Sequence, residues 1–266
     1  MKVMRYGILR ALLSSAVLCA ALAGGAHGLS QESESQPQGP TFYKPTGEEG
    51  MITGVVGVEG EVPPRPLLSP MGADPVCASQ NKGGARAEDI VVERERLANA
   101  LVYVESPALD ALKFEPRQWT PALGYRRCRT VPRVLAVRAG ETLSVQNEDR
   151  THHNPAFQTK VNPLSNRPLF PGGSFEISFM QPEPPFVVRC NQHPWERGYV
   201  AVFSHPFFYV TGRGGSFAIE GLPPGEYEVV VWTEKFLEAR TKVSVGAKET
   251  KVANFTLRYP GDVRQQ

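Results

Sequence analysis

A long apolar run is missing from this sequence of 266 residues. Its main apolar stretch, Ala11 to Ala23, is shorter than the ~20 residues a membrane-spanning helix needs. An excess of charge is missing too. Lys and Arg number 29 against 27 Asp and Glu, but Lys2, Arg5 and Arg10 lie in the first 28 residues, which hold no acid. The rest carries 26 basic against 27 acidic residues, so nothing argues for nucleic acid or an anionic membrane surface. Helical periodicity is weak, with Glu88 to Ala100 the best candidate for a short helix. A phosphate loop, a nucleophile–base pair and an open multi-metal cluster are all lacking, so the expectation is a protein that is not an enzyme.

Cysteine is scarce, at 4, and its count is informative. Lys2, Arg5 and Arg10, the apolar stretch and the small residues Gly24, Gly25, Ala26 and Gly28 form the three-part pattern of a secretory signal peptide, residues 1–28. An uncleaved anchor is the alternative. Export to the periplasm or the extracellular space, with no membrane span after cleavage, is the expectation. Cys19 leaves with that segment, and Cys77, Cys128 and Cys190 remain. An odd number leaves one thiol without an intramolecular partner. Cys190 has His193 three residues on, so Cys77 and Cys128 are the disulfide candidates, which an oxidising compartment permits. Two free thiols are the rival reading.

Residues 29–49 are rich in Ser, Glu, Gln, Pro and Gly and read as a flexible linker. Beyond it, period-2 alternation dominates. Ile52–Val58, Ala100–Val104, Val134–Arg138, Thr142–Gln146, Phe175–Phe179, Phe186–Arg189 and Tyr199–Phe203 read as strands. So do Phe217–Ile219, Tyr227–Trp232, Thr241–Val245 and Thr250–Leu257. Gly- and Pro-rich turns separate them, which predicts an all-β sandwich architecture.

The chemistry concentrates in two loops. One ends in His152-His153-Asn154, after two strands around an Ala139-Gly140 turn; the other reads Cys190-Asn-Gln-His193-Pro-Trp-Glu196-Arg-Gly198. A thiolate with two imidazoles in a trigonal set suits both oxidation states of copper. The short Cys-x-x-His loop lets both side chains point at one ion, and Asn154 is a candidate support for the loop around Cys190. A lone Cys-x-x-His is weak, and its combination with an upstream His-Asn loop and the flanking Pro-Trp-x-Arg-Gly is what gives it weight. His152 reads as an exposed neighbour, His205 as structural or exposed, Met180 as strand packing, and Trp195, Phe207 and Phe208 as core or interface.

Pro132 to Phe203 resembles a small blue copper protein of the plastocyanin and amicyanin type, a cupredoxin Greek-key sandwich. The resemblance covers roughly 70 residues, and its most specific part is Cys190-x-x-His193-Pro194-aromatic-x-Arg197-Gly198. It implies one copper held by His153, Cys190 and His193, one-electron transfer, and a redox protein docking near an exposed His193 with Pro194 and Trp195. One position departs: the family's axial Met falls on Glu196. Three outcomes stay open there. An axial carboxylate favours Cu(II) and lowers the potential; a Cys-His-His-Glu set suits tetrahedral zinc; or Glu196 turns to solvent or Arg197 and leaves three ligands.

Val210 to Leu257, with Thr211-Gly-Arg-Gly-Gly-Ser-Phe-Ala-Ile-Glu-Gly-Leu-Pro-Pro-Gly-Glu-Tyr, resembles the carboxypeptidase regulatory-like, transthyretin-like β-sandwich family. Such modules open on a Gly-x-Val strand, which Gly54-Val-Val-Gly-Val fits. The expected domains are therefore an N-terminal β part at 50–105, a cupredoxin-like metal domain at 106–206, a regulatory-like sandwich at 207–258 and a tail at 259–266. Residues 50–105 either join 207–258 in one sandwich, with the metal domain inserted, or belong to the cupredoxin in a tandem arrangement. The competing function is a carbohydrate- or surface-binding module with a vestigial or non-redox metal site.

Overall fold

The computed structural model describes residues 41–259. The expected signal peptide, the first part of the linker and all but Tyr259 of the tail lie outside the described residues. Among the described residues there are 19 strands and only short helical turns, so the fold is nearly all β.

Four sheets lie in two sandwiches. In the outer sandwich, strand Gly50–Glu59 pairs antiparallel with Ser216–Leu222 and Arg96–Ala98, and parallel with Thr250–Val252 and Phe255–Arg258. Its facing sheet runs Phe208–Val210, Leu101–Glu105, Gly225–Trp232 and Ala239–Val245. The inner sandwich joins a sheet of Ser165–Asn166, Pro155–Phe157, Glu183–Cys190, Arg197–Phe203 and Val134–Arg138 to one of Ser174–Ser178, Thr142–Asn147, Ala122–Tyr125 and Thr130–Val131. Strands before and after residues 106–206 thus share sheets, and Gly50–Glu59 pairs only with outer-sandwich strands. Gly54 shows how closely these approach: a Cβ there would lie 2.0 Å from the Ala253 carbonyl oxygen. A glycine is required where backbones come this near.

Alternation along the strands builds three apolar layers. Val102, Val104, Val229 and Val231 face the outer core, while Leu101, Tyr103 and Val230 face the other way. They meet Val134, Ala136 and Ala201 of the inner sandwich, whose Val137, Val200 and Val202 face the inner core. Sheets buried on both faces explain continuous runs such as Val229-Val230-Val231.

Three expectations change. Glu88–Ala100 is not helical: Val91–Glu93 and Arg96–Ala98 form a hairpin. Its two-residue turn, Arg94-Glu95, takes positive φ at both positions (49° and 62°). That conformation matches strand twist but normally announces itself by Asn or Gly, which are absent here. Thr250–Leu257 is two strands, broken at Ala253, whose N–H donates to the Thr53 carbonyl. Within the expected linker, Tyr43 is tied down, its N–H donating to the Lys113 carbonyl and its hydroxyl to Glu49 (2.6 Å each).

Candidate metal centre

The two loops meet at one end of the inner sandwich. After Thr142–Asn147, the Asn147 side chain donates to the Thr151 and Leu169 carbonyls and accepts from the Asp149 N–H. A bridge to the backbone of Leu169 then fixes His153, in the form of paired hydrogen bonds of 2.8 and 2.9 Å. Cys190 closes strand Glu183–Cys190, and a tight turn through His193 returns the chain to Arg197–Phe203. In that turn the Glu196 N–H donates to the His193 carbonyl (3.0 Å).

His153, Cys190, His193 and Glu196 come together with their ligand atoms within 4.8 Å of one another, and all four are buried. Nδ1 of His153 is 3.1 Å from Nδ1 of His193, and Cys190 Sγ is 3.9 and 3.8 Å from them. Glu196 Oε2 is 2.9 Å from His153 Nδ1. Its Oε1 lies 3.3 Å from His193 Nδ1 yet makes no hydrogen bond. Metal bonds of about 2.0–2.1 Å to nitrogen and 2.3 Å to sulfur place such donors about 3.3–3.8 Å apart at tetrahedral to trigonal angles. The residues therefore fit a metal ion. Of the three outcomes open for Glu196, the solvent-facing one is excluded: its carboxylate is buried, and Arg197 faces Glu234 instead (3.8 Å).

Carboxylates also stand behind both imidazoles. His153 Nε2 is 3.2 Å from Asp149 Oδ2, and His193 Nε2 is 3.1 Å from Asp74 Oδ2. An imidazole that donates from Nε2 presents a lone pair at Nδ1, so both rings aim Nδ1 at the thiol and at Glu196. In the metal-free chain protons satisfy this cluster. Burial works against charge on His153, but Asp149, Cys190 and Glu196 outweigh it and push its pKa up to about 11. His193 is raised to about 10, against burial, by Cys190, Glu196 and Asp74. Burial opposes ionisation of Cys190 and Glu196, and the two histidines overcome it and lower both.

Residues outside the two loops seal the centre. Residues 60–90 leave the outer sandwich, form the short helix Pro75–Gln80, and return. Cys77 and Cys128 are joined in a buried disulfide, as the cysteine count anticipates, and Cys190 is the free thiol. The disulfide packs with Met71, Ala85, Leu68 and Trp195. His193 is consequently 1 % exposed rather than presented to solvent as the resemblance implies. Pro194 is exposed, and Trp195 is half-buried, its ring 5.0 Å from that of His193.

Asn154 acts through its backbone, not its side chain. Its N–H donates to Cys190 Sγ (3.3 Å) and its carbonyl accepts from the Asn191 N–H (2.9 Å). His152 is exposed, Met180 lies beyond the end of strand Ser174–Ser178 and is 68 % exposed rather than packed as expected, and His205 and Phe207 are buried. Sequence reasoning missed Asp74 and Asp149. Asp74-Pro75 is a readable helix start, an N-cap followed by proline, and the Cys77–Cys128 pairing places it near the site.

The family model described as a carboxypeptidase regulatory-like domain matches residues 193–258. No curated protein matches the chain. Among solved structures, a purple cupredoxin from Nitrosopumilus maritimus is 24% identical, with a TM-score of 0.27, over 31% of this chain and 98% of that one. An oxidised amicyanin mutant is 17% identical (TM-score 0.29), over 38% of this chain and 97% of that one. A copper-containing nitrite reductase from Thermus scotoductus SA-01 is 17% identical (TM-score 0.30), over 56% of this chain and 28% of that one. The chain thus carries a match to the carboxypeptidase regulatory-like domain at 193–258 and is similar, over part of its length, to cupredoxins.

Proposed function

We propose that this chain is an exported copper-binding protein that passes single electrons, with His153, Cys190 and His193 as ligands and Glu196 as the fourth. One observation carries the reading: two imidazole Nδ1 atoms, a thiol and a carboxylate converge in a buried cluster whose other ring nitrogens already face carboxylates. Bound there, copper supplies a one-electron couple that a Cys-His-His set accommodates in both states. The chain's residues do the rest. The Asn154 N–H steadies the sulfur, and Tyr125 stacks on His153 with ring centroids 4.6 Å apart. Residues 60–90 keep water from His193. Glu196, harder and anionic where the family has a thioether, favours the more highly charged ion and so a lower potential.

Zinc is the second reading, because an anionic fourth donor completes a tetrahedral set. The N-terminal pattern, and a disulfide of the kind oxidising compartments permit, support a periplasmic or extracellular location. Among the described residues, no helix is long and apolar enough to cross a membrane. With His193 covered, a one-electron redox protein reaches the centre at Pro194 and the edge of Trp195. The role is carriage rather than enzymatic turnover.

Copper titration of the reduced metal-free chain, followed by visible absorption, tests the reading. A thiolate-to-copper band that saturates at one equivalent, bleaches with reductant and is absent from Cys190→Ser supports it. Tight binding of zinc with no stable copper band moves the assignment to zinc. Binding of neither metal leaves the surface- or glycan-binding module as the better account.

A further inference from the structure

We infer that Asp74 and Asp149 are a matched pair of positioning residues for the metal centre, anchored together by the Cys77–Cys128 bridge. This rests on the metal-site reading above and extends it to residues outside the ligand loops. Each carboxylate is built in the same way. Asp74 Oδ1 accepts the N–H groups of Val76 (2.7 Å) and Cys77 (3.1 Å), and its Oδ2 faces His193 Nε2. Asp149 accepts the N–H groups of Arg127 (2.7 Å) and Cys128 (2.8 Å), and its Oδ2 faces His153 Nε2. Each half of the buried disulfide thus gives a backbone N–H to the carboxylate behind one histidine. The Thr151 hydroxyl, two residues before His153, donates to Asp74 Oδ2 (2.8 Å) and ties the two clips together a second time.

The physical consequence follows from what an imidazole needs as a ligand. A carboxylate on Nε2–H fixes the tautomer and the ring plane and makes Nδ1 a stronger donor. Here both rings are held from behind, and one clip comes from a different part of the chain. Asp74 lies in residues 60–90, which link Gly50–Glu59 to Val91–Glu93 of the outer sandwich. A connection of that length in a compact fold usually has a function of its own. The outer sandwich thereby sets the behaviour of a metal bound in the inner one.

Full-length Asp74→Asn and Asp149→Asn chains test this, the amide retaining an acceptor oxygen but no charge. Copper(I) affinity, by competition with a chromophoric chelator, is expected to fall about 10- to 100-fold in each. The reduction potential is expected to rise, because a weaker imidazole donor favours Cu(II) less. In the zinc-loaded chain, nitrogen NMR is expected to show the His193 Nε2 proton exchanging faster in Asp74→Asn. Should that variant fail to fold, Thr151→Val, which removes only the brace on Asp74, takes its place with the same direction of change. Unchanged affinity, potential and proton exchange, in variants of a chain that itself binds one metal, would overturn the inference alone. Failure of the unaltered chain to bind copper or zinc would instead bring down the metal-site reading, and this inference with it.

Discussion

Glu196 occupies the position on which the chemistry turns. Its carboxylate lies against both imidazoles, with Oε1 lacking a hydrogen bond in a fully buried place. Replacing it by the family's thioether, Glu196→Met, is expected to raise the potential and shift the thiolate-to-copper band; cyclic voltammetry and absorption check both. An unchanged potential would remove Glu196 from the ligand set. Protonation gives a second test. With His153 held at about 11 and His193 at about 10 in the metal-free chain, both imidazoles carry protons at pH 7. Metal binding must displace one proton from each ring, and any proton still on the Cys190 thiol, so at least two leave per ion and affinity falls as the pH is lowered. Calorimetry in buffers of different ionisation enthalpy counts those protons. The Cys190 and His193 members of the cluster were legible because Cys-x-x-His-Pro-Trp is a contiguous signature. Asp74 was not, since its partner His193 lies 119 residues away, and Asp149 was not, since its four-residue spacing from His153 falls in an irregular loop and belongs to no motif.

At the scale of elements, strand Leu101–Glu105 does two jobs, with Leu101 and Tyr103 in the seam between sandwiches and Val102 and Val104 in the outer core. Leu101 is wholly buried, so Leu101→Ala is expected to cost about 2–5 kcal/mol in urea unfolding. Val252, 67 % exposed on a short strand, is the control, and Val252→Ala should stay within about 0.5 kcal/mol. A small effect at Leu101 would mean that the seam is loosely packed. Most long strands were readable, Val134–Arg138 with both its ends, because alternation between a core face and an opposite face leaves a period-2 signal. The hairpin at Val91–Ala98 was hidden by a charged Arg94-Glu95 turn that carries no turn residue. Short strands such as Thr130–Val131 and Ser165–Asn166 are too brief to show a period.

For the whole molecule, the seam and the Cys77–Cys128 bridge join the two sandwiches through packing and a covalent link. Calorimetric unfolding is therefore expected as a single transition, coincident by near-UV and far-UV dichroism, and raised in temperature by metal as ligand linkage requires. Two well-separated transitions would show that the sandwiches are independent. The sharing of sheets by strands before and after residues 106–206 was legible only as one of two arrangements, beside a tandem one, from Gly54-Val and Leu-Pro-Pro-Gly. The return of residues 60–90 over the metal centre was not, because it depends on three-dimensional meeting of Asp74, Thr151 and His193. The most direct test of the account is anomalous diffraction at the copper edge from crystals of the copper-loaded chain. One peak, enclosed by Nδ1 of His153, Sγ of Cys190, Nδ1 of His193 and the carboxylate of Glu196, is the result the account predicts. A peak at another set of residues, or none at this cluster in a chain loaded with one equivalent, would contradict it.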